Sequence, residues 1–363
     1  VLEGTGARLE LRDVEVLPPG PGEVRVRVAA CGVCHSDLSV ATGTLRSPVP
    51  VVLGHEVAGV VVETGREVTS PGVGQPVIVA LSPACGTCAF CREGMPNLCV
   101  QMVPGMIGST ALDGTTRLRH AGRPVYQLCG VGGFAEEVVV AAAMCVPVPP
   151  GVPLERACLL GCGVLTGAGA VLNTAAVTPG RSVAVIGCGG VGLAAVQAAR
   201  IAGADPVVAV DVEPAKLALA RALGATHAVV AGGDVVADVR AICPFGVHVA
   251  VEAAGRTDTL ECAWEMLRPG GTAVAVGMPA ARDRVSLRMG GFFQARRIVG
   301  CVYGGGDPHR DIPRLLDLVR SGRFQLDPLV AAELPLARAQ DALDALSAGR
   351  GPRHVLVMTG GEP

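Results

Sequence analysis

Four cysteines, Cys85, Cys88, Cys91 and Cys99, fall within the stretch "SPACGTCAFCREGMPNLC" (82–99). Four thiolates at this C-x2-C-x2-C-x7-C spacing offer a closed tetrahedral shell, which suits a structural zinc and leaves no position for chemistry. A second set of ligand types is scattered along the chain. "CGVCHSD" supplies Cys34, His35, Ser36 and Asp37, "LGHE" supplies His55 and Glu56, and "LLGCGVLTG" supplies Cys162. Cys34, His55 and Cys162 together would neutralise Zn²⁺ and keep a fourth position open. That is the arrangement of a catalytic zinc, able to take an alcohol oxygen and to stabilise the charge that changes during hydride transfer. Ligands this far apart converge only through the fold. The other cysteines read one by one as small buried hydrophobes.

A third pattern concerns a nucleotide. "GCGGVG" places Gly187, Gly189 and Gly192 in G-x-G-x-x-G order, with Gly190 and Val191 between them. An apolar strand, "SVAVIG" (182–187), runs into this turn and a helical stretch, "VGLAAVQAARIAG" (191–203), leaves it. In that setting the glycines permit a tight turn and close approach to a pyrophosphate, which the helix N-terminus then binds. Asp211 follows 19 residues after Gly192. Its carboxylate suits the ribose hydroxyls of NAD and would repel the 2′-phosphate of NADP. Lys216 is the one lysine in the chain, five residues past Asp211; it reads either as a compact ammonium near the adenosine ribose or as a stray cation on a solvated helix.

These residues need elements to hold them. The first part of the chain reads as short strands broken by Pro and Gly: "EVRVRVAA" (23–30), "VAGVVVE" (57–63) and "FAEEVVVA" (134–141). Near residue 164 the pattern changes to apolar strands alternating with helices. "PVVAVD" (206–211), "PAKLALARALG" (214–224), "HAVV" (227–230), "VHVAVE" (247–252), a helix around Trp264 and "TAVAVG" (272–277) predict a parallel sheet covered on both faces. Helices near 309–321 and 337–348 and a last strand, "HVLVM" (354–358), read as a return to the first domain. The expected division is therefore 1–163 with 303–363, carrying a zinc lobe at 82–100, and 164–302 for the nucleotide.

At 363 residues, 50% of them hydrophobic, the chain has material for two cores. A formal charge of -2 argues against nucleic acid, which needs a basic surplus, and gives no attraction to an anionic membrane. There is no apolar run long enough for a span and no signal-peptide pattern at the start; the strand-like beginning at Val1 suggests that a few residues precede it. Fourteen cysteines in a chain of this length point to zinc ligands in a reducing cytoplasm rather than to a disulfide framework.

In their order along the chain, "CGVCHSD", "GHE", the four-cysteine lobe, "GCGVLTG" and "GCGGVG" resemble the zinc-dependent medium-chain alcohol dehydrogenases, and the likeness covers essentially the whole sequence. "GSTALDGTTRLRHAGRPVY" (108–126) is similar to the long loop of the dimeric liver-type and formaldehyde dehydrogenase branches. The resemblance implies an α/β chain with a GroES-like, mostly β catalytic domain and a Rossmann, doubly wound NAD-binding domain, assembled as a homodimer acting on small alcohols and aldehydes. It implies two zinc ions per chain and NAD(H). It assigns the catalytic zinc to Cys34, His55 and Cys162, the orientation of His55 to Asp37, and a place behind the metal to Glu56. Ser36 would hydrogen-bond the alcohol and begin a proton relay. Thr166 would contact the nicotinamide, Arg353 would reach the pyrophosphate, and His35 would take another phosphate-side position.

The departures from that family are informative. The relay commonly ends at a His where this chain has Ser39, a poor base, so Ser39→His is expected to raise the rate near neutral pH. Leu81, Leu98 and Leu128 replace three Phe of the liver-type pocket, with Cys129, Met278 and Val302 assigned to the same substrate pocket. Either the leucines widen that pocket for bulkier primary alcohols, or they only pack the core. The nearest rival reading is a formaldehyde dehydrogenase acting on a thiol adduct, yet Val103 stands where its glutathione-using branch has an anchoring Arg. A mycothiol-using relative and an enzyme that never releases its NAD stay open. A non-enzymatic zinc scaffold is the remote alternative.

Overall fold

Alternation of valine with arginine along "EVRVRVAA" buries one face of a strand, and in the computed structural model that strand extends over Glu23–Val33. The structure describes residues 1–358. It divides into two compact units: Val1–Cys162 with Asp307–Gly322 and the segment from Val330 onward, and Gly163–Gly306 with Arg323–Leu329. The short return of Arg323–Leu329 to the second unit interrupts the tail that the sequence assigns whole to the first.

The first unit is mostly β. Glu23–Val33 pairs antiparallel with Glu56–Thr64 on one side and with the late strand His354–Val357 on the other. They belong to a seven-stranded sheet that also holds Pro76–Val79, Glu137–Ala141, Cys145–Pro147 and Ala332–Pro335. A helix, α1 (His35–Thr42), leaves the end of Glu23–Val33, so Cys34 sits at a strand-to-helix corner. The long loop folds back as the hairpin Leu118–His120/Arg123–Gln127. Arg117 pins it with a fork onto Glu23, Nε to Oε2 at 2.8 Å and a terminal nitrogen to Oε1 at 2.8 Å, while Asp113 takes a third bond at 2.7 Å.

The second unit is a six-stranded parallel sheet built from β1 (Val183–Ile186), β2 (Val207–Asp211), β3 (His227–Val230), β4 (Val247–Glu252), β5 (Leu267–Ala275) and β6 (Arg297–Gly300). The strand order is β3-β2-β1-β4-β5-β6. The crossovers carry α2 (Gly163–Gly169) ahead of β1, then α3 (Gly190–Ile201), α4 (Pro214–Ala222), α5 (Val235–Ile242) and α6 (Thr257–Glu265). β1, β2 and β4 are apolar along almost their whole length because helices cover both faces. Trp264 and Met266 lie fully buried in the core beside them. The sheet order reverses between β1 and β4, and the crevice outside the carboxyl ends of the strands at such a point is where ligands bind. No single helix among the described residues is long and apolar enough to cross a membrane.

Candidate active site

The sequence places Cys34, His55 and Cys162 on three separate segments, and the fold brings them together. Their ligand atoms and a carboxylate oxygen of Glu56 all lie within 4.8 Å of one another. Cys34 stands at the N-terminus of α1, His55 just before the strand Glu56–Thr64, and Cys162 at the end of the first unit. Asp37, fully buried, organises two of the three. Its Oδ2 accepts from the Cys34 N–H at 2.8 Å, capping α1, and its Oδ1 accepts from the Gly54 N–H at 2.8 Å. The same Oδ1 lies 3.4 Å from His55 Nδ1, which leaves Nε2 for a metal.

The electrostatics of the cluster call for a cation. Burial opposes charging of His55, yet Asp37 and the surrounding thiols hold its pKa well above the ordinary value. The hydrogen bond from Cys162, helped by Arg353 and His55, lowers Cys34 well below the usual thiol range despite burial. The same bond, with burial, raises Cys162. Two thiols, an imidazole and a carboxylate at these separations fit zinc. Asp37→Asn keeps the shape but removes the charge facing His55; it is expected to lower zinc affinity or activity about 10–100-fold, read by metal titration of the stripped protein.

Arg353, expected at the pyrophosphate, is buried within this cluster. A terminal nitrogen donates to Glu56 Oε1 at 3.0 Å and approaches Cys34 Sγ at 3.5 Å. Ser36 Oγ is 3.9 Å from Cys34 Sγ, and His35 is exposed. Of the pocket residues, Leu81, Leu128 and Cys129 are buried and Leu98 is half-buried in the first unit; Met278 and Val302, in the second, are about half exposed. Cys129 lies in electrostatic reach of His55 and Cys34, with its thiol pushed up to about 11 by burial.

The four-cysteine lobe forms a second cluster, its sulfurs also within 4.8 Å of one another. Cys85 and Cys91 are 3.9 Å apart, and the N–H groups of Cys88 and Cys91 point at the sulfurs of Cys85 and Cys88 at 3.4 and 3.5 Å. This donor set likewise fits zinc, and four equivalent thiols leave no open side.

In the second unit the glycine turn joins β1 to α3. A Cβ on Gly192 would lie 1.8 Å from the Gly187 carbonyl, so only glycine lets helix and strand pack here. A Cβ on Gly189 would enter open space at the helix N-terminus, a cradle that fits a pyrophosphate. Asp211 at the end of β2 accepts from the Cys188 N–H through Oδ2 at 2.6 Å and from the Glu213 N–H through Oδ1 at 2.9 Å, fixing the carboxylate beside the turn. Burial raises the Cys188 thiol to about 12, with Lys216 close enough to pull the other way. Thr166 lies on α2, which packs on α3 where Gly167 meets the Val191 carbonyl. Sequence reasoning missed one residue of this region: Glu252, a buried carboxylate at the end of β4.

Two family descriptions match the chain: an alcohol dehydrogenase GroES-like domain over residues 20–150 and a zinc-binding dehydrogenase over 190–321. The S-(hydroxymethyl)glutathione dehydrogenase of Escherichia coli O1:K1 / APEC is 38% identical over 359 residues, covering 97% of this chain and 96% of its own. The chain belongs to the zinc-dependent medium-chain alcohol dehydrogenases. Its fold is that of the family, a GroES-like unit and a Rossmann unit. Among solved structures, an alcohol dehydrogenase zinc-binding domain protein from Burkholderia ambifaria superposes with a TM-score of 0.94 at 37% identity, over 99% of this chain and 98% of the other. Benzyl alcohol dehydrogenase from Acinetobacter calcoaceticus gives 0.93 at 31% identity with the same coverage. This medium-chain dehydrogenase is thus a zinc-dependent oxidoreductase of small alcohols and aldehydes.

Proposed function

We propose that the enzyme interconverts bulky primary alcohols and their aldehydes with NAD(H), using Cys34, His55 and Cys162 as the catalytic metal site and Cys85, Cys88, Cys91 and Cys99 as the structural one. The mutual approach of Cys34, His55 and Cys162 around Asp37 carries the reading. The first unit, Val1–Cys162 with Asp307–Gly322 and the segment from Val330 onward, serves as the catalytic domain, and Gly163–Gly306 with Arg323–Leu329 as the coenzyme domain. Zinc would supply Lewis acidity toward an alcohol oxygen, and nicotinamide would supply the hydride acceptor. Asp37 keeps His55 oriented, and Ser36 Oγ hands on the proton of the substrate hydroxyl. Glu56 and Arg353 lie beside the ligands as a neutralised pair. Gly187, Gly189, Gly190, Val191 and Gly192 cradle the pyrophosphate and Asp211 the adenosine ribose, with Thr166, Lys216 and His35 contributing at its margins.

Leu81, Leu98, Leu128 and Cys129 of the first unit shape the substrate pocket, and leucines in place of flat rings favour benzylic substrates. A solved relative's description as a benzyl alcohol dehydrogenase supports this. The decisive experiment is a kcat/KM panel of ethanol, benzyl alcohol and S-(hydroxymethyl)glutathione with NAD. Benzyl alcohol is expected to lead; equal values for ethanol and benzyl alcohol overturn the wide-pocket reading. The second reading, a thiol-adduct dehydrogenase, draws on the relative named S-(hydroxymethyl)glutathione dehydrogenase. Val103, apolar and partly exposed on a short helix, offers that adduct's carboxylates no cation. Turnover of formaldehyde only with added thiol would establish it.

Ser39→His places an imidazole on α1 and is expected to raise kcat below pH 8 and flatten the pH–rate profile; an unchanged profile removes Ser39 from the relay. A homodimer is supported by β6, which ends its sheet, and by Phe293, 91% exposed just before that strand. Cysteines gathered into two metal-ligand clusters support a cytoplasmic location.

A further inference from the structure

Glu252 ends β4 beside the point where the sheet order reverses, and it is only 1% exposed. Its side chain and its main chain are both spent on neighbouring loops. Oε1 accepts from the Ala254 N–H at 2.9 Å, from the Gly255 N–H at 2.8 Å and from the Thr259 hydroxyl at 2.8 Å, gathering the whole entry into α6. Its carbonyl accepts from the N–H groups of Val276 and Gly277, both at 2.9 Å, where the chain leaves β5. One residue therefore fixes the loops that follow two adjacent strands.

Those loops touch. A Cβ on Gly277 would lie 2.1 Å from the Gly255 nitrogen and 2.8 Å from Glu252 Oε2, so the two turns are packed backbone to backbone around the carboxylate. The glycine turn joins the same cluster, because a Cβ on Gly187 would meet the Ala254 nitrogen at 2.8 Å. The Ala253 N–H also donates to the Ile186 carbonyl at 2.8 Å. Asp211 stands on β2, on the other side of β1 from β4. A dinucleotide whose adenosine ribose meets Asp211 and whose pyrophosphate meets the Gly187–Gly192 turn must extend its other half across the switch point, toward the ends of β4 and β5.

We propose that Glu252 is a positioning residue for the nicotinamide half of the cofactor. It holds the 253–256 and 275–278 loops as one rigid wall and contributes nothing to the adenosine half. The proposal rests on the NAD(H) reading given above. An unpaired buried backbone donor is costly, so the three donors on Oε1 keep the 253–256 side of the wall in one conformation; removing that acceptor frees this side, while the main-chain bonds of Val276 and Gly277 to the residue 252 carbonyl remain.

The test compares NADH with ADP-ribose, which keeps the adenosine, pyrophosphate and both riboses but lacks the ring. Dissociation constants of both are measured by calorimetry on the full-length, zinc-loaded enzyme. Glu252→Ala is expected to weaken NADH about tenfold or more while ADP-ribose changes less than about twofold. Glu252→Gln, which keeps an acceptor oxygen, is expected to recover most of the loss. Should Glu252→Ala fail to fold, Thr259→Val decides by the same comparison, since it removes one donor and leaves the carboxylate paired to the others. Equal weakening of both ligands assigns Glu252 a merely structural role and overturns the proposal, as does unchanged NADH affinity. If the unmodified enzyme binds neither ligand, it is the NAD(H) reading that fails.

Discussion

Replacing Arg353 with leucine is expected to destabilise the zinc-stripped first unit by about 3–5 kcal/mol, read as a fall in its urea midpoint. Arg353 and Glu56 are 5% and 0% exposed and 3.0 Å apart, so neither can turn to water for solvation. Burial alone would lower the guanidinium pKa, but Glu56 and Cys34 raise it further, which keeps the cation charged at every accessible pH. Leucine would remove the guanidinium that donates to Glu56 Oε1 and leave the buried carboxylate without that counter-charge. The cost comes from that stranded group more than from any attraction lost. The double replacement Arg353→Leu with Glu56→Gln is accordingly expected to regain most of the stability. A double variant no better than the single one would assign the loss to packing of the arginine stem. Zinc loading should narrow the difference, because the metal supplies positive charge to the same cluster.

Losing the metal of the four-cysteine lobe is expected to unfold the lobe. Its apolar support is thin at the ligands: Cys85, Cys88 and Cys91 are only partly buried and Phe90 is 39% exposed, whereas the buried Ser82, Asn97 and Cys99 anchor its ends. Structural zinc in small modules supplies apparent binding energies on the order of 10 kcal/mol, which is then folding energy. Cys88→Ser should remove one of the two zinc ions per chain and open residues 82–100 to protease, while the circular dichroism of the parallel sheet is retained. Activity should fall as a consequence, through Leu81 and Leu98 at the flanks of the lobe. A lobe that resists protease after chelation would show that its loops, and not the metal, carry the structure.

Much of this was legible in the sequence where the signal is local. The lobe declares itself because all four ligands fall within one short loop. The Rossmann unit declares itself because a parallel sheet buried on both faces must be written as apolar runs, and "SVAVIG" and "VHVAVE" are such runs. α5 was not read, although Asp234 caps it by accepting from the Ala237 N–H at 3.0 Å; an acid ahead of "VVADVRAI" was the available signal. Glu252 is not visible in the sequence because a glutamate closing a strand looks like a surface residue until its donors are placed. The contact of Arg353 with Glu56 was not legible at all. It spans 297 residues, and it depends on His354–Val357 pairing antiparallel with Glu23–Val33, a partner choice that composition does not encode.

That pairing also sets an order of events in the cell. Residue 353 leaves the ribosome 297 residues after Glu56, and at about 5–20 residues per second this is an interval of roughly 15–60 s. During it the nucleotide unit is made in full, whereas the catalytic cluster still lacks the cation that neutralises its carboxylate. Until residue 353 emerges Glu56 lacks its guanidinium partner, and the pairing of His354–Val357 with Glu23–Val33 is what brings that partner in. Metal loading has a natural window before that pairing, and a nascent chain stalled short of residue 353 should exchange its catalytic zinc far more readily than the released enzyme.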